Sequence, residues 1–331
     1  MVTVIAEAGV NHNGEIARAE ALVLAAAEAG ADIVKFQAFS ARELVARNTK
    51  TASYQMANTG ETDQSTLLAR LEFDMTDFAR LAQVCRDHRV EFLCTAFDVG
   101  HLEPLIEVGM RRIKIPSGEL TNVPMLRRAG SFGLPVILST GMATGDEVEG
   151  ALEVLQRAGA GPVTVLHCTS IYPAPDAAIN LRAMVTMGER FGVPVGYSDH
   201  SAGDQIAIAA VALGATIIEK HFTQDRELPG PDHKASLEPD ELRAMIDRIR
   251  SVERCLGDGV KRPANGEAEI AKLVRRSWRA ARPLAAGLVL TRDDVVLKRP
   301  CDGLAPDVEL VGKRLRSARE ADDPIRAEDL A

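Results

Sequence analysis

The 331-residue chain has few cysteines, and none of them forms a recognisable pair. The five are Cys85, Cys94, Cys168, Cys255 and Cys301. No two lie in a CxxC arrangement or at a spacing typical of a thiolate metal centre. A sparse, odd count predicts reduced thiols and therefore a cytoplasmic protein.

The chain also lacks an excess of basic residues and a long hydrophobic run. Its net charge is −8 and its pI is near 5.5, which argues against binding to nucleic acid or an anionic membrane. The longest apolar run, Ile206 to Ile218, falls short of the roughly 20 residues that span a bilayer. The first residues have no basic segment and reach Glu7 at once, so we expect no signal peptide.

No GxGxxG motif follows the first β-type run, which argues against an open dinucleotide-binding sheet. Instead, eight short β-type runs alternate with helical patterns. The runs are Thr3–Ala6, Asp32–Phe36, Glu91–Thr95, Arg112–Ile115, Pro135–Ser139, Val163–His167, Val193–Gly196 and Thr216–Lys220. This rhythm predicts an α/β fold, a (β/α)8 TIM barrel, with an open doubly wound sheet as the alternative.

The pattern divides the chain into a catalytic barrel over residues 1–255, a linker over 256–272 and a small, mostly β domain over 273–331. Within the barrel, the connection from Ala38 to Phe73 is long and polar, so we expect a loop at the barrel mouth. Glycines such as Gly30 and Gly159 follow helical segments and are typical of C-caps.

Polar residues follow all eight β-type runs. The active site of a (β/α)8 barrel forms at the C-terminal ends of its strands, so these side chains should meet at one mouth. Several are cations or hydroxyl donors suited to a phosphate or carboxylate group. They are Lys35, Thr95, Lys114, Ser117, Ser139 and Ser198.

Two histidines, His200 and His221, follow adjacent strands near the carboxylates of Asp199, Glu219 and Asp232. Paired imidazoles beside carboxylates suit a divalent metal such as Mn²⁺, Co²⁺ or Zn²⁺. The alternative for each histidine is an ordinary hydrogen-bonding role in the core.

Three functions are candidates for a barrel with this set of groups. A metal and an anion pocket suggest activation of a carbonyl by a Lewis acid, with a phosphorylated co-substrate. A Schiff-base aldolase would instead use Lys114 or Lys35 as nucleophile. A degenerate barrel that only binds carbohydrate would be expected to lose these charged side chains, and the chain retains them.

Seven motifs together resemble the sialic acid synthase family. They are Ile5 to Gly14 (IAEAGVNHNG), Val34 to Gln37 (VKFQ), Lys114 to Glu119 (KIPSGE), His167 to Pro173 (HCTSIYP), Gly196 to His200 (GYSDH), Glu219 to Phe222 (EKHF) and Gly230 to His233 (GPDH). Lys298-Arg299-Pro300 resembles part of the family's antifreeze-like (SAF) domain. The resemblance implies a transferase that condenses phosphoenolpyruvate with an open-chain N-acyl hexosamine and releases phosphate by C–O cleavage. The first candidate acceptor is N-acetylmannosamine, which gives N-acetylneuraminate. The alternatives are the diacetamido-trideoxy sugars that give legionaminate or pseudaminate.

The resemblance also assigns roles to individual residues. His200 and His221 would hold a metal, usually Mn²⁺, with Mg²⁺ or Co²⁺ as alternatives. The implied phosphoenolpyruvate ligands are Lys35, Thr95, Lys114, Ser117, Ser170 and Ser198. The implied sugar ligands are Glu7, Gln37, Tyr172, Asp232 and Arg299. The implied catalytic groups are Glu119, Glu7 and Lys114.

Two features complete these expectations. Arg299 would reach the N-acyl group in the active site of a partner subunit, which makes the expected assembly a domain-swapped homodimer. Many members of the family have asparagine where this chain has Ser170, whose hydroxyl can still donate one hydrogen bond.

Overall fold

A computed structural model describes residues 1–331 and divides them into two compact units, Met1–Gly257 and Asp258–Ala331. The first unit is a closed barrel of eight parallel strands in sequential order, so the predicted (β/α)8 fold is confirmed and the open-sheet alternative is wrong. The strands are β1 (Thr3–Gly9), β2 (Ile33–Ala38), β3 (Glu91–Ala96), β4 (Ile113–Ile115), β5 (Val136–Ser139), β6 (Val163–Cys168), β7 (Val195–Asp199) and β8 (Ile217–His221).

One helix of eight or more residues follows each strand and packs on the outside of the barrel wall. These helices are α1 (Ile16–Ala29), α5 (Met75–Asp87), α6 (Val99–Glu107), α7 (Val123–Ser131), α8 (Gly145–Ala158), α10 (Arg182–Phe191), α11 (Gln205–Ala212) and α12 (Pro239–Leu256). Helices α1 and α8 end at Gly30 and Gly159, both with left-handed backbone, as the sequence predicts. Strands covered on both faces are largely apolar, as in β2 (IVKFQA) and β5 (VILS), so the polar residues within them stand out.

Short helices interrupt two of the connections. The predicted loop from Ala38 to Phe73 contains α2 (Ala41–Leu44), α3 (Ser53–Thr59) and α4 (Gln64–Ala69), and α9 (Asp176–Ile179) precedes α10. Asp63 caps α4 by accepting a hydrogen bond from the Thr66 amide. This helix contributes Leu67 to a small apolar cluster, so the insertion is an ordered wall and not an open loop.

The second unit contains α13 (Glu267–Val274) and an antiparallel pair, β9 (Ser277–Ala280) and β10 (Val295–Lys298). Its core is separate from that of the barrel and includes Trp278, Leu284 and Ile325. The segment 256–272, predicted as a linker, thus includes the first part of α13. None of the chain's helices has both the length and the apolar composition needed to cross a bilayer. The cytoplasmic location stays a prediction.

Candidate active site

A cavity of about 480 Å³ opens at the C-terminal ends of the barrel strands. It brings together most of the residues that the sequence pattern singled out. The predicted site residues that line it are Glu7, Lys35, Gln37, Thr95, Lys114, Ser117, Ser170, Tyr172, Ser198, His200 and His221. Because β2, β4 and β8 are nearly buried on both faces, their inward side chains form a floor with little access to solvent.

Two buried lysines and two buried carboxylates form the floor of the cavity. Lys35 Nζ lies 2.7 Å from Glu7 Oε2 and 3.8 Å from Glu219 Oε2. Lys114 Nζ donates to Glu219 Oε1 at 3.1 Å, and Ser198 Oγ donates to the same oxygen at 3.0 Å. Glu219 therefore links both lysines. In the sequence it could be recognised because it lies two residues before His221 on a strand, and alternate residues share one face.

Burial affects these four groups differently. Burial raises the pKa of Glu7, and nearby Lys35 offsets only part of this effect. Burial also opposes ionisation of Glu219, but Lys114 and Lys35 outweigh it and lower the pKa of Glu219 to about 2. Burial lowers the pKa of Lys114, whereas Glu219 and Glu7 raise the pKa of Lys35 despite its burial. Two carboxyl groups on one floor thus have pKa values moved in opposite directions, which suits one to carry a proton and the other to remain charged.

Hydroxyl groups surround the lysines. Lys35 Nζ donates to Thr95 Oγ1 at 2.9 Å. Ser117 Oγ accepts from the Gly141 amide at 2.9 Å, and a Cβ at Gly141 would lie 2.1 Å from Ser170 Oγ. Glycine at this position therefore allows both serine hydroxyls to approach the backbone at Gly141. Ser139 Oγ is buried without a hydrogen-bond partner, so it is free to donate to a ligand.

His200 and His221 lie side by side beneath an aromatic ring. Their ring centroids are 5.5 Å apart, and the ring of Tyr172 lies 4.1 Å from His200 and 5.8 Å from His221. His200 Nδ1 lies 2.8 Å from the Thr169 carbonyl and donates to it, which leaves Nε2 as the acceptor. His221 Nδ1 is buried and has no partner.

The donor set fits a metal with an open coordination sphere. No group of three or more His, Cys, Asp or Glu side chains in residues 1–331 is arranged to hold a metal ion. Two adjacent imidazoles would therefore need water or substrate oxygen to complete a coordination sphere. The unpartnered nitrogen of His221 is consistent with such a role.

A smaller chamber of about 230 Å³ adjoins the cavity and shares Gln37, Tyr172 and His221 with it. One side is apolar, formed by Val10, Phe39, Leu44, Leu67, Leu68, Leu71 and Phe97. Asp232 also lines the chamber, and its pKa is raised to about 6, first by burial and then by the charge of Glu7. The chamber therefore combines a hydrophobic wall with one carboxyl group.

Three predicted site residues do not line the main cavity. Asp232 lines the smaller chamber and not the main cavity. Glu119 lies in a 3₁₀ turn next to the cavity-lining Gly118, but its own side chain is not part of the lining, and its Oε2 accepts a hydrogen bond from Asn122. Arg299 is an exposed residue of the second unit. The roles of all three stay predictions.

The sequence pattern of the NeuB family matches residues 22–261, and that of the SAF domain matches residues 275–331. The chain therefore belongs to the NeuB family and carries a SAF domain, as the motifs predict. The expectation that it is an enzyme, a phosphoenolpyruvate-dependent transferase of the synthase type, is confirmed at the level of this family.

Individual relatives support the assignment over nearly the whole chain. An N,N'-diacetyllegionaminic acid synthase from Legionella pneumophila is 44% identical over 94% of this chain and 90% of the relative. Another from Campylobacter jejuni is 42% identical over 98% of both chains. The crystal structure of an N-acetylneuraminic acid (sialic acid) synthetase from Leptospira borgpetersenii, in complex with citrate, has a TM-score of 0.73 at 36% identity. It covers 81% of this chain and 90% of that chain.

Proposed function

We propose that the protein is a nonulosonic acid synthase. It condenses phosphoenolpyruvate with the open-chain aldehyde of an N-acyl hexosamine and releases phosphate. The observation that carries the proposal is the pair of buried ammonium groups, Lys35 and Lys114, in one cavity with two imidazoles and the carboxyl group of Glu7, whose pKa is raised by burial.

Lys35 and Lys114 bind the phosphate and carboxylate groups of phosphoenolpyruvate. Both ammonium groups lie within 4 Å of a carboxylate oxygen of Glu219, and the anionic substrate offers them further acceptors. The unpartnered hydroxyl of Ser139 and those of Ser117 and Ser198 add donors for the same groups. Because these charged groups are already in position before the reaction, little free energy is needed to reorganise them during it.

Glu7 is suited to proton transfer at the sugar because its carboxyl group lines the cavity and its pKa is raised. Gln37 Nε2 donates to Glu7 Oε1 at 2.9 Å and fixes its orientation. Glu119 is the second candidate, for the water that adds to carbon 2. Glu119 follows Gly118 in the chain, and Gly118 lines the cavity.

His200 and His221 would hold a divalent metal, for which Mn²⁺ is our first candidate and Mg²⁺ and Co²⁺ the alternatives. A metal at this position supplies Lewis-acid polarisation of the sugar aldehyde. The hydrogen bond from His200 Nδ1 to the Thr169 carbonyl fixes the tautomer that presents Nε2.

The proposed bond changes use these groups as follows. Carbon 3 of phosphoenolpyruvate attacks the aldehyde carbon, and the aldehyde oxygen gains a proton. Water adds at carbon 2 and loses a proton. The new hydroxyl at carbon 2 then gives its remaining proton to the departing phosphate as the C–O bond breaks, which leaves the keto acid. With ¹⁸O in the bridging position of phosphoenolpyruvate, the label should appear in the released phosphate. Label retained in the keto acid would contradict this mechanism.

Two acceptors are candidates. N-acetylmannosamine is the first, in keeping with the sialic acid synthetase of Leptospira. The second is 2,4-diacetamido-2,4,6-trideoxymannose, supported by the apolar wall of the smaller chamber and by the legionaminic acid synthases at 42% and 44% identity. A methyl group in place of a hydroxymethyl group should be favoured against such a wall, because burial of one apolar carbon contributes about 0.8 kcal/mol.

A comparison of three sugars tests the function and separates the acceptors. Phosphate release and keto-acid formation would be measured with phosphoenolpyruvate and N-acetylmannosamine, the diacetamido-trideoxymannose or its altrose analogue. We expect turnover with one of the first two and a kcat/KM at least tenfold lower for the altrose analogue. Borohydride treatment in the presence of pyruvate should leave no adduct on Lys35 or Lys114. Such an adduct, without phosphate release, would favour a Schiff-base aldolase.

The proposed assembly is a homodimer in which Arg299 serves the site of the partner subunit. Subunit mixing tests this arrangement. Equal amounts of inactive Lys114→Ala and Arg299→Ala chains, unfolded and refolded together, should recover roughly a quarter of wild-type activity, since half of the dimers are mixed and each mixed dimer has one intact site. No recovery would contradict the exchange.

A further inference from the structure

The motif Asn11-His12-Asn13-Gly14 begins two residues after the end of β1, yet none of its side chains lines the main cavity. His12 is buried against Phe73, with ring centroids 4.0 Å apart. The two asparagines instead reach the segment 229–236, which follows β8. The asparagine side chains of this motif, at the mouth of the barrel, thus form hydrogen bonds with another loop.

Asn13 holds the beginning of this segment. Its Nδ2 donates to the Pro229 carbonyl at 2.7 Å, so its Oδ1 is the acceptor for His233 Nε2 at 3.1 Å. His233 Nδ1 lies 2.7 Å from Thr223 Oγ1, which donates to it. Burial, with a smaller effect of Arg18, lowers the pKa of His233 to about 4, and a neutral imidazole has the one donor and one acceptor that these two bonds need.

Asn11 holds the end of the segment. Its Nδ2 donates to the Phe222 carbonyl at 2.8 Å and to Ser236 Oγ at 3.0 Å. Ser236 Oγ in turn donates to the backbone carbonyl of Asp232 at 2.7 Å. The side chains of Asn11 and Ser236 are both buried, so water does not compete readily for these bonds.

The close approach of the two loops requires a glycine. A Cβ at Gly230 would lie 2.5 Å from His233 Cδ2 and 2.7 Å from Asn13 Oδ1. Asn13 itself has φ of 51°, a left-handed conformation that asparagine and aspartate tolerate better than most residues. Asp232 is thus fixed from both sides, through His233 and through Ser236.

We propose that Asn11 and Asn13 are positioning residues that clamp the 229–236 segment and thereby set the position of Asp232 in the smaller chamber. The inference rests on the proposed function, in which Asp232 contacts the sugar. It assigns the asparagines no contact with substrate. Loss of the clamp should weaken binding of the sugar and leave binding of phosphoenolpyruvate unchanged, because Lys35 and Lys114 are held by other strands.

Asn13→Asp is the sharpest probe. It keeps the size, the tolerance of left-handed backbone and the acceptor for His233. It replaces the donor to the Pro229 carbonyl with a carboxylate oxygen, whose negative charge also repels that carbonyl, and the control variant adds the same charge. Asn48→Asp is the matched control, since Asn48 is also left-handed (φ of 64°), is exposed and makes no side-chain hydrogen bond. The KM of each substrate and kcat would be measured with the sugar that the wild-type enzyme turns over fastest.

For Asn13→Asp we expect a rise of about tenfold in the KM of the sugar, with the KM of phosphoenolpyruvate within twofold of wild type. Asn48→Asp should match wild type in both. The double variant Asn13→Asp/Asp232→Asn should have the same sugar KM as Asp232→Asn alone, because the clamp acts through Asp232. Additive effects, or equal rises in both KM values, would overturn the inference.

Hydrogen exchange separates the clamp from the function. Backbone amides of 229–236 should exchange faster in Asn13→Asp than in wild type, while those of β2 and β4 do not change. Ser236→Ala, which removes only the bonds of one hydroxyl, serves if Asn13→Asp does not fold. If the 229–236 amides exchange faster in Asn13→Asp but the wild-type protein has no synthase activity, the clamp stands. The proposed function is then refuted, and so is the effect of the clamp on sugar binding. Unchanged exchange in a folded, active variant would refute the clamp itself.

Discussion

Lys220 provides the most demanding test of how the barrel is held together. Its Nζ lies 2.9 Å from Asp199 Oδ2 and donates to the Ser201 carbonyl at 2.6 Å. Asp199 Oδ1 accepts from the amide and the hydroxyl of Ser201 at 2.8 and 2.6 Å. Both charged side chains are 0% exposed. The pair joins the ends of β7 and β8, where the next residues are His200 and His221.

Lys220→Met keeps most of the side chain's volume but leaves the carboxylate of Asp199 buried without its cation. Removing one partner of a buried ion pair costs about 3–5 kcal/mol of unfolding free energy. In Lys220→Met/Asp199→Asn the unpaired charge is gone. We therefore expect the double variant to be more stable than the sum of the two single effects predicts, by about 2 kcal/mol or more.

Arg112→Met is the matched control. Arg112 Nε and Nη2 donate to the two oxygens of Glu91 at 2.7 and 2.8 Å, and this pair also joins adjacent strands, near the starts of β3 and β4. Its side chains are 30% and 24% exposed, so water and salt screen the charges. The expected cost is only about 1 kcal/mol.

Urea unfolding followed by circular dichroism at 222 nm would measure these costs in the barrel, which holds nearly all the helices. Trp278 is the one tryptophan and lies in the second unit, so its fluorescence follows that unit separately. With an unchanged m value, the shift in midpoint converts to free energy. A loss for Lys220→Met no larger than that for Arg112→Met would refute the reasoning.

Three further predictions concern catalysis and acidity. Glu7→Gln and Glu119→Gln should each lower kcat by about a hundredfold or more if both carboxyl groups transfer protons, and normal turnover in either variant would remove that residue from the mechanism. Chelation by EDTA should abolish turnover and added Mn²⁺ should restore it, while His200→Ala and His221→Ala should each weaken Mn²⁺ binding in calorimetry at least tenfold. Full activity in EDTA would contradict the metal role. Burial lowers the pKa of His12 from 6.5 to about 3, so the unfolded chain binds more protons between these values. Stability should therefore fall as the pH drops through that window, by up to about 4 kcal/mol. The urea midpoint of His12→Gln should depend less on pH, and equal slopes in the two proteins would contradict this prediction.

Hydrophobic runs and glycine caps were enough to predict the barrel, because buried parallel strands leave a clear apolar signature. The polar residues after each strand predicted one mouth, and the cavity gathers most of them. The roles of Glu219 and Lys220 were less visible. Strand alternation points Glu219 to the same face as His221, but only the structure shows that Glu219 links two lysines while Lys220 pairs outside the cavity.

Other features depend on contacts between residues far apart in the chain. The segment from Ala38 to Phe73 is polar in sequence, but Leu67 packs with Val10 and Phe39 and forms part of the apolar wall of the smaller chamber. The bonds from Asn11 and Asn13 cross more than 200 positions to the segment after β8. No local pattern identifies such partners, because their proximity is a product of barrel closure.

Barrel closure also has a consequence for biosynthesis. β1 pairs with β8, so that Ile5 lies opposite Glu219, about 210 positions later in the chain. Until β8 has emerged from the ribosome, one edge of β1 has no native partner. An unpaired strand edge is a site for intermolecular association. Contacts this distant in sequence also slow folding. We therefore expect the nascent chain to be most prone to aggregation, and most dependent on chaperones, just before the eighth strand emerges.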